Sequence, residues 1–331
     1  MGVNLKPLFE SEFVEPSHFK GKIIAVDALN WIFQFISTIR QRDGTLLMDS
    51  KGRVTSHLSG LFYRNASLIK NGIKPVYVFD GEPPEFKKST QEKRREEKEK
   101  YLKEYKEALK KGDIERAFSL STRTAFVDEE VLNTSKEILN LMGIPVVQAP
   151  SEGEAQCSYM NREGVVDYVA SQDYDSILFG TKMLVRNLNI TGKRKLPRSK
   201  EYVVVLPEVI DVEANLNRLG IDRDKLVLIG MLVGNDYTEG VKGVGPKTAL
   251  KIVKDMKENE IIKKYNLNEE IINWFKHPKV KDVKIEFKKA NIEKLREFLL
   301  DYEFSEERIQ KTLSEIEKAQ GSRQSSLSSY F

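Results

Sequence analysis

An α/β fold with a parallel central sheet is what this chain predicts, and three observations predict it. Four short apolar runs (22–26, 74–79, 144–148 and 167–171) are separated by stretches of helical periodicity, the pattern of parallel strands and crossover helices. An acid or a pair of acids stands shortly after each run. The 331 residues, 40% of them hydrophobic, suffice for one large domain or two ordinary ones with a packed core, which excludes global disorder.

The first strand, Lys22-Ile-Ile-Ala-Val26, is rich in β-branched residues and ends in Asp27. Apolar residues at helical spacing follow from Leu29 to Arg40, and again from Ser59 to Asn71, where Gly72 closes the helix. Lys74-Pro-Val-Tyr-Val-Phe79 is the second strand and ends in Asp80. The composition then changes. Between Glu85 and Arg116 there are 12 Lys or Arg and 9 Asp or Glu, and Phe86 apart, no large apolar residue precedes Tyr101. Glu and Lys recur at four-residue spacing, which supports a solvated helix. Taken alone, such a run is a surface helix with no further role. The third strand, Ile144 to Gln148, leads to Ser151-Glu-Gly-Glu154, and the fourth, Asp167 to Ser171, to Gln172-Asp-Tyr-Asp175. Residues 191–200 read as a basic loop, and the chain is mainly helical from about Ile221. From Gly321 it becomes a Ser-rich tail, expected to be disordered in isolation.

Several function classes drop out. No window approaches the roughly 18 apolar residues that span a bilayer, and no signal stretch opens the chain. Met1-Gly2 would begin an acylation signal, but Lys6 stands where that signal wants Ser or Thr. A soluble, intracellular protein of the cytoplasm or nucleoid is expected. The single cysteine, Cys157, fits a reducing compartment, and His18, His57 and His277 lack zinc spacing. The net charge of +4 permits a polyanionic partner without demanding one.

The acids carry the chemistry. Asp27, Asp80, the pair Glu152 and Glu154, and the pair Asp173 and Asp175 follow four strands whose C-terminal ends share one edge of a parallel sheet. Carboxylates crowded there raise one another's pKa unless cations neutralise them. Oxygen ligands without Cys or His select Mg²⁺, for which Mn²⁺ can substitute. So many acids suggest two ions and a surrounding shell, and two ions about 4 Å apart suit in-line attack of water on a phosphodiester. Ordinary turn acids and helix caps are the alternative for any one of them. Further on, Gly240-Val-Lys-Gly-Val-Gly-Pro-Lys-Thr-Ala249 places glycines, Lys247 and a helix-start Pro246 together. Exposed N–H groups there can grip a phosphate without reading a base, with Lys242 and Thr248 as further contributors.

At these residues the chain resembles the flap endonucleases, within the structure-specific 5′ nucleases. The matching stretches are Val26-Asp-Ala28, Thr55-Ser-His-Leu-Ser-Gly60, Gly72-Ile-Lys-Pro-Val-Tyr-Val-Phe-Asp-Gly81, Ala149-Pro-Ser-Glu-Gly-Glu-Ala155, Ser171-Gln-Asp-Tyr-Asp175 and the segment from Gly234 to Ala249. They span nearly the whole chain in family order, and archaeal members are the nearest in pattern. The resemblance implies a PIN-like nuclease domain with a mixed, mostly parallel central sheet, a helical arch and a helix-two-turn-helix DNA-binding region. It implies a Mg²⁺-dependent endonuclease that hydrolyses a phosphodiester near the base of 5′ DNA flaps, with associated 5′-3′ exonuclease activity, in replication and repair.

By the same similarity, Asp27, Asp80, Glu152, Glu154, Asp173, Asp175 and Asp236 are the metal-site acids, the last beyond reach of strand reasoning. Lys87 and Arg94 fall on the family's catalytic lysine and arginine, two helical turns apart on one face at the base of the arch. Phe33, Arg40, Arg64, Glu152, Gly234, Asp236, Gly243, Gly245 and Lys247 match DNA contacts. Phe33 stands where relatives often carry a stacking Tyr; packing into the core is its alternative. Asn235 replaces a commoner Thr or Ser, and Cys157 a small Ala; modest effects are expected of both.

The tail resembles a sliding-clamp-binding box of Gln324, Leu327, Tyr330 and Phe331, in which a short 3₁₀ turn would bring the last three together. The implied regions are 1–98 (N-terminal nuclease), 84–130 (arch), 116–258 (internal nuclease, with the helix-two-turn-helix at about 220–258), 259–320 (C-terminal helical) and 324–331 (clamp-binding). Partners are branched DNA with a 5′ flap and a sliding clamp, with no membrane, and the free chain is a monomer. A nuclease for four-way junctions or RNA ends and a non-catalytic clamp adaptor are the rival readings.

Overall fold

The β-branched runs become strands that lie side by side. The computed structural model describes residues 2–190, 192–195 and 202–327, with side chains except at 88–95, 98, 193–195, 202 and 322–327. The strands are β1 (Glu12–Phe13), β2 (Ile23–Asp27), β3 (Lys74–Phe79), β4 (Val146–Gln148), β5 (Tyr168–Ala170), β6 (Met183–Arg186), β7 (Gly192–Lys195), β8 (Tyr202–Val205) and β9 (Glu208–Asp211). Seven form one sheet in the order β1-β9-β6-β5-β2-β3-β4. All neighbours from β6 to β4 are parallel, while β9 runs antiparallel to β6 and to β1. The mixed, mostly parallel sheet is therefore as the resemblance implies. From β2 the chain moves to β3 and β4 on one side, then returns to β5 and β6 on the other. That reversal opens a crevice at the strand C-termini between β2 and β5.

Period-two alternation divides the core. Ala25, Val76, Val78, Val169 and Leu184 face a layer containing the helices Gly153–Arg162 and Arg223–Val233. Ile24, Val26, Tyr77, Phe79 and Ala170 face the helices Ala28–Thr38, Ser56–Lys70, Glu129–Leu141, Ile292–Asp301 and Glu306–Leu327. On this second face Gly60 lets two helices meet closely: a Cβ built there would lie 2.2 Å from Cγ of Phe35. Gly60→Ala is expected to cost about 1–3 kcal/mol, as overpacking does. Urea denaturation measures it, and parental stability would show that the Phe35 ring simply moves aside.

The charged run forms the long helix Lys88–Lys110, followed by Ile114–Ser121. The two pack through Tyr105, Ala108 and Ala117, with Leu109 and Leu120 alongside, a small core separate from the sheet. Two expectations are corrected. The basic segment is no simple loop, because Gly192–Lys195 pairs antiparallel with Tyr202–Val205, a β-branched run that supplies a partner strand; residues 191 and 196–201 lie outside the described residues. Nor does order end at Gly321. The last helix continues to Leu327, since Ile309, Leu313 and Ile316 anchor it and extending a formed helix costs far less than nucleating one.

Candidate metal centre at the carboxyl edge of the sheet

Each predicted acid is set by the element it ends or begins. Asp27 closes β2 and caps the helix Ala28–Thr38, accepting the Asn30 N–H at 3.1 Å. Asp80, just past β3, accepts the Gly153 N–H at 2.6 Å. Glu152 is the cap residue of the helix Gly153–Arg162 and Glu154 lies in its first turn. Asp173 follows β5 and accepts the Asn30 side-chain amide at 2.9 Å. Asp175 opens the short helix Asp175–Leu178 and accepts the Val3 N–H at 2.8 Å. Asp236 comes from the turn after the helix Arg223–Val233.

Hydrogen bonds from Asn30 and Gly153 tie four of these five segments in pairs, and the acids act on one another's charge. Burial, then the charges of Asp80 and Asp173, push the Asp27 carboxyl up to about 8 against the pull of the Asn30 N–H and Lys87. Burial and Asp236 push Asp175 to about 7, and burial and Glu152 push Asp80 to about 6. Glu154 is driven well above the carboxylate range by burial and by Asp175, Asp27, Asp173 and Asp236. All seven acids thus belong to one electrostatic neighbourhood. Among the described residues no three His, Cys, Asp or Glu side chains close into a ready-made ion cage, so the acids are neighbours in charge without a completed ligand set. The donor set fits a hard dication that keeps part of its water. It is all oxygen, it is held by backbone N–H groups, and its negative charge is poorly offset.

Lys87 enters this field at the last residue of the 3₁₀ turn Glu85–Lys87. It is mostly buried and forms an ion pair with Glu152; burial pulls its pKa down, but Glu152, Asp80 and Glu154 together raise it. Arg94 lies in the helix Lys88–Lys110, and its side chain is outside the described set.

The remaining predicted contacts lie elsewhere on the framework. Phe33 is half-buried against the second core face. Arg40 spends two of its five donors on the carbonyls of Ile36 and Gly44, both at 2.9 Å. Arg64 is half-buried in the helix Ser56–Lys70, and burial draws its pKa down. Gly234 (φ 97°) has no room for a side chain, because a Cβ would sit 2.8 Å from the Glu239 carbonyl. At Gly243 and Gly245 a Cβ would meet nothing within 4 Å, and Lys242, Lys247 and Thr248 are exposed around the start of the helix Pro246–Asp255. The backbone there is open to a phosphate. Gln324 and Leu327 lie in the final helix turns, and Tyr330 and Phe331 fall outside the described residues.

Sequence reasoning missed two contributors and underrated a third, Asn235. Asn30 ties the ends of β2 and β5 together by holding both Asp27 and Asp173; its place one turn after a capping Asp was the available signal. The Val3 N–H reaches Asp175 across 172 residues, and no local pattern announces such a contact. Asn235 organises the turn that carries Asp236, with its side-chain oxygen accepting the Tyr237 N–H at 2.8 Å.

Comparison with known proteins follows the same outline. Residues 1–101 match the XPG N-terminal domain family and residues 143–236 the XPG I-region family. Flap endonuclease 1 of Pyrococcus abyssi is 51% identical over 341 residues, covering 100% of this chain and 98% of that protein. Flap endonuclease 1 of Archaeoglobus fulgidus is 50% identical over 338 residues, covering 100% of each. The solved structure of flap endonuclease-1 from Methanococcus jannaschii matches with a TM-score of 0.76 and 38% identity, over 97% of this chain and 100% of that one. Human GEN1 in complex with Holliday junction DNA matches with a TM-score of 0.67 and 25% identity, over 96% of this chain and 78% of that one.

Proposed function

The chain belongs to the flap endonuclease family of XPG nucleases, and from that premise we propose that it cuts 5′ DNA flaps with two Mg²⁺ ions held among its seven carboxylates. It is a structure-specific nuclease of DNA replication and repair, hydrolysing a phosphodiester near the base of the flap, with 5′-3′ exonuclease action besides. The observation that carries the metal reading is the gathering of carboxylates at one sheet edge, where Asn30 holds both Asp27 and Asp173. There the Gly153 N–H holds Asp80 between Glu152 and Glu154, with the charges of Asp175 and Asp236 acting on the same group.

When bound, two such ions supply an activated water and stabilise the leaving oxygen; Mn²⁺ suits the same ligands. The chain's own residues do the rest. Asn30, Gly153 and Val3 hold the carboxylates of Asp173, Asp80 and Asp175 in place. Lys87 leaves Glu152 for the scissile phosphate, and Arg94, two turns along the arch helix, joins it from the same side. Gly243, Gly245 and Lys247 grip the backbone of the duplex, with Gly234 shaping the turn beside Asp236. Phe33, Arg40 and Arg64, all half-buried, contact DNA near the branch, Phe33 by stacking.

Regions 1–98, 116–258 and 259–320 serve as the two nuclease portions and the C-terminal helical portion, and 84–130 is the arch that admits a single-stranded 5′ end. The tail 324–331 binds a sliding clamp through Gln324, Leu327, Tyr330 and Phe331, and the free chain is a monomer. Among the described residues no helix is long and apolar enough to cross a membrane. The test compares a 5′-flap duplex, a four-way junction and a 5′ RNA end, each with Mg²⁺ and with chelator. Cleavage near the flap base in Mg²⁺ alone is expected, and equal cleavage in chelator would rule out the metal.

A further inference from the structure

Lys87 is aimed by its surroundings, and its neighbour Phe86 fixes the turn that carries it. The Phe86 ring meets Tyr237 edge-on, with centroids 5.6 Å apart, and Trp274 at 6.0 Å. Tyr237 meets Phe275 at 5.3 Å, so the base of the arch is pinned into an aromatic cluster that also reaches the helix Glu269–Lys276. Tyr237 is itself buried and held by Asn235, whose amide also donates to the Gly230 carbonyl at 3.2 Å. Asp236 lies between these two residues, so one turn places both an acid of the centre and this ring.

The Lys87 ammonium lies 5.5 Å from the centroid of the Tyr237 ring while paired with Glu152. These two contacts differ in kind. The carboxylate takes a hydrogen in a fixed direction, whereas the ring face attracts a cation without claiming a particular N–H. A lysine has a flexible four-carbon stem and three rotatable donors, so a non-directional contact restrains its position and leaves its donors available.

We propose that Tyr237 is a positioning residue for Lys87, its ring face keeping the ammonium over the acids as it passes from Glu152 to the scissile phosphate. This rests on the reading of Lys87 as the phosphate-contacting cation. The phenol hydroxyl has no part in it; the ring does.

The test is single-turnover cleavage of a 5′-flap duplex in Mg²⁺ by the full chain. Tyr237→Phe keeps the ring face and most of the rate. Stepwise fluorination of that phenylalanine drains charge from the face at nearly constant shape, and the rate is expected to fall with each fluorine, about tenfold over the series. Flap affinity, read by fluorescence anisotropy in Ca²⁺, should stay level along it. The same series in a Lys87→Ala chain should be flat. A flat series with Lys87 present, or an equally steep one without it, overturns the proposal. A Lys87→Ala chain that cleaves at the parental rate would instead remove the reading of Lys87 itself, so the two failures are distinguishable.

Discussion

Asp173→Ala is expected to cut flap hydrolysis by a factor on the order of 10³ or more, with flap binding retained. Asp173 stands at the topological reversal between β2 and β5, and its field reaches Asp27, Glu154 and Asp175. Its charge therefore acts on acids carried by β2 and by the helices Gly153–Arg162 and Asp175–Leu178. Its carboxylate is oriented by the Asn30 amide at 2.9 Å, so the substitution removes a carboxylate that the fold already holds in place, the one proposed above to bind metal. Binding should survive because the backbone at Gly243 and Gly245, proposed above to grip phosphate, belongs to a different element. Removing a negative charge from the centre should even strengthen the hold on a polyanion at low salt. Single-turnover cleavage in Mg²⁺ and anisotropy in Ca²⁺ separate the two effects. Parental cleavage by the variant would revive the non-catalytic adaptor; lost binding would make Asp173 a structural residue.

What could be read in the sequence follows from how each element is stabilised. β2 and β3 are buried on both faces, so they appear as continuous apolar runs with an acid at the end. β1, β6 and β9 escaped notice because two to four residues flanked by charge make a strand only when a partner supplies the ladder. Their hydrogen bonds are a property of the sheet, not of Met183-Leu-Val-Arg186 or Glu208-Val-Ile-Asp211 in isolation. Asp236 needed a family resemblance for the same reason. It follows a helix, and it arrives at the centre only because the helix Arg223–Val233 packs on Asp175–Leu178, with Gly230 close against Leu178. The charged helix after Asp80 was plain in composition. Its anchoring was not, since one Phe86 among charges carries no periodic signal, though its ring ties the arch base to Tyr237 and Trp274.

In chelator, the melting temperature should fall as pH rises from about 4 to about 8, and Mg²⁺ should remove most of that fall. The sign follows from proton uptake. Asp27, Asp175 and Asp80 titrate near 8, 7 and 6 in the folded chain, against about 3.9 in an unfolded one. Between those limits the folded state binds more protons. The stability this confers is complete below the unfolded value and is lost as pH climbs through the folded values. Surface acids such as Asp301 and Glu306, held low first by the hydrogen bonds of Arg53 and Arg296 respectively, act in the opposite sense. Their contribution is lost only as pH falls through and below the ordinary carboxylate range, so the two windows separate. A dication that binds the folded chain alone adds stability as RT ln(1 + [L]/Kd). It prefers deprotonated ligands, so its gain grows over the same pH interval in which the metal-free chain weakens. Asp175→Asn should accordingly melt higher than the parent in chelator at pH 8 and gain less from Mg²⁺. Differential scanning fluorimetry across pH, with and without Mg²⁺, reads all of this. A melting temperature that rises between pH 5 and 8 in chelator would show that the carboxylates are already compensated within the protein, leaving no charge for an ion to satisfy.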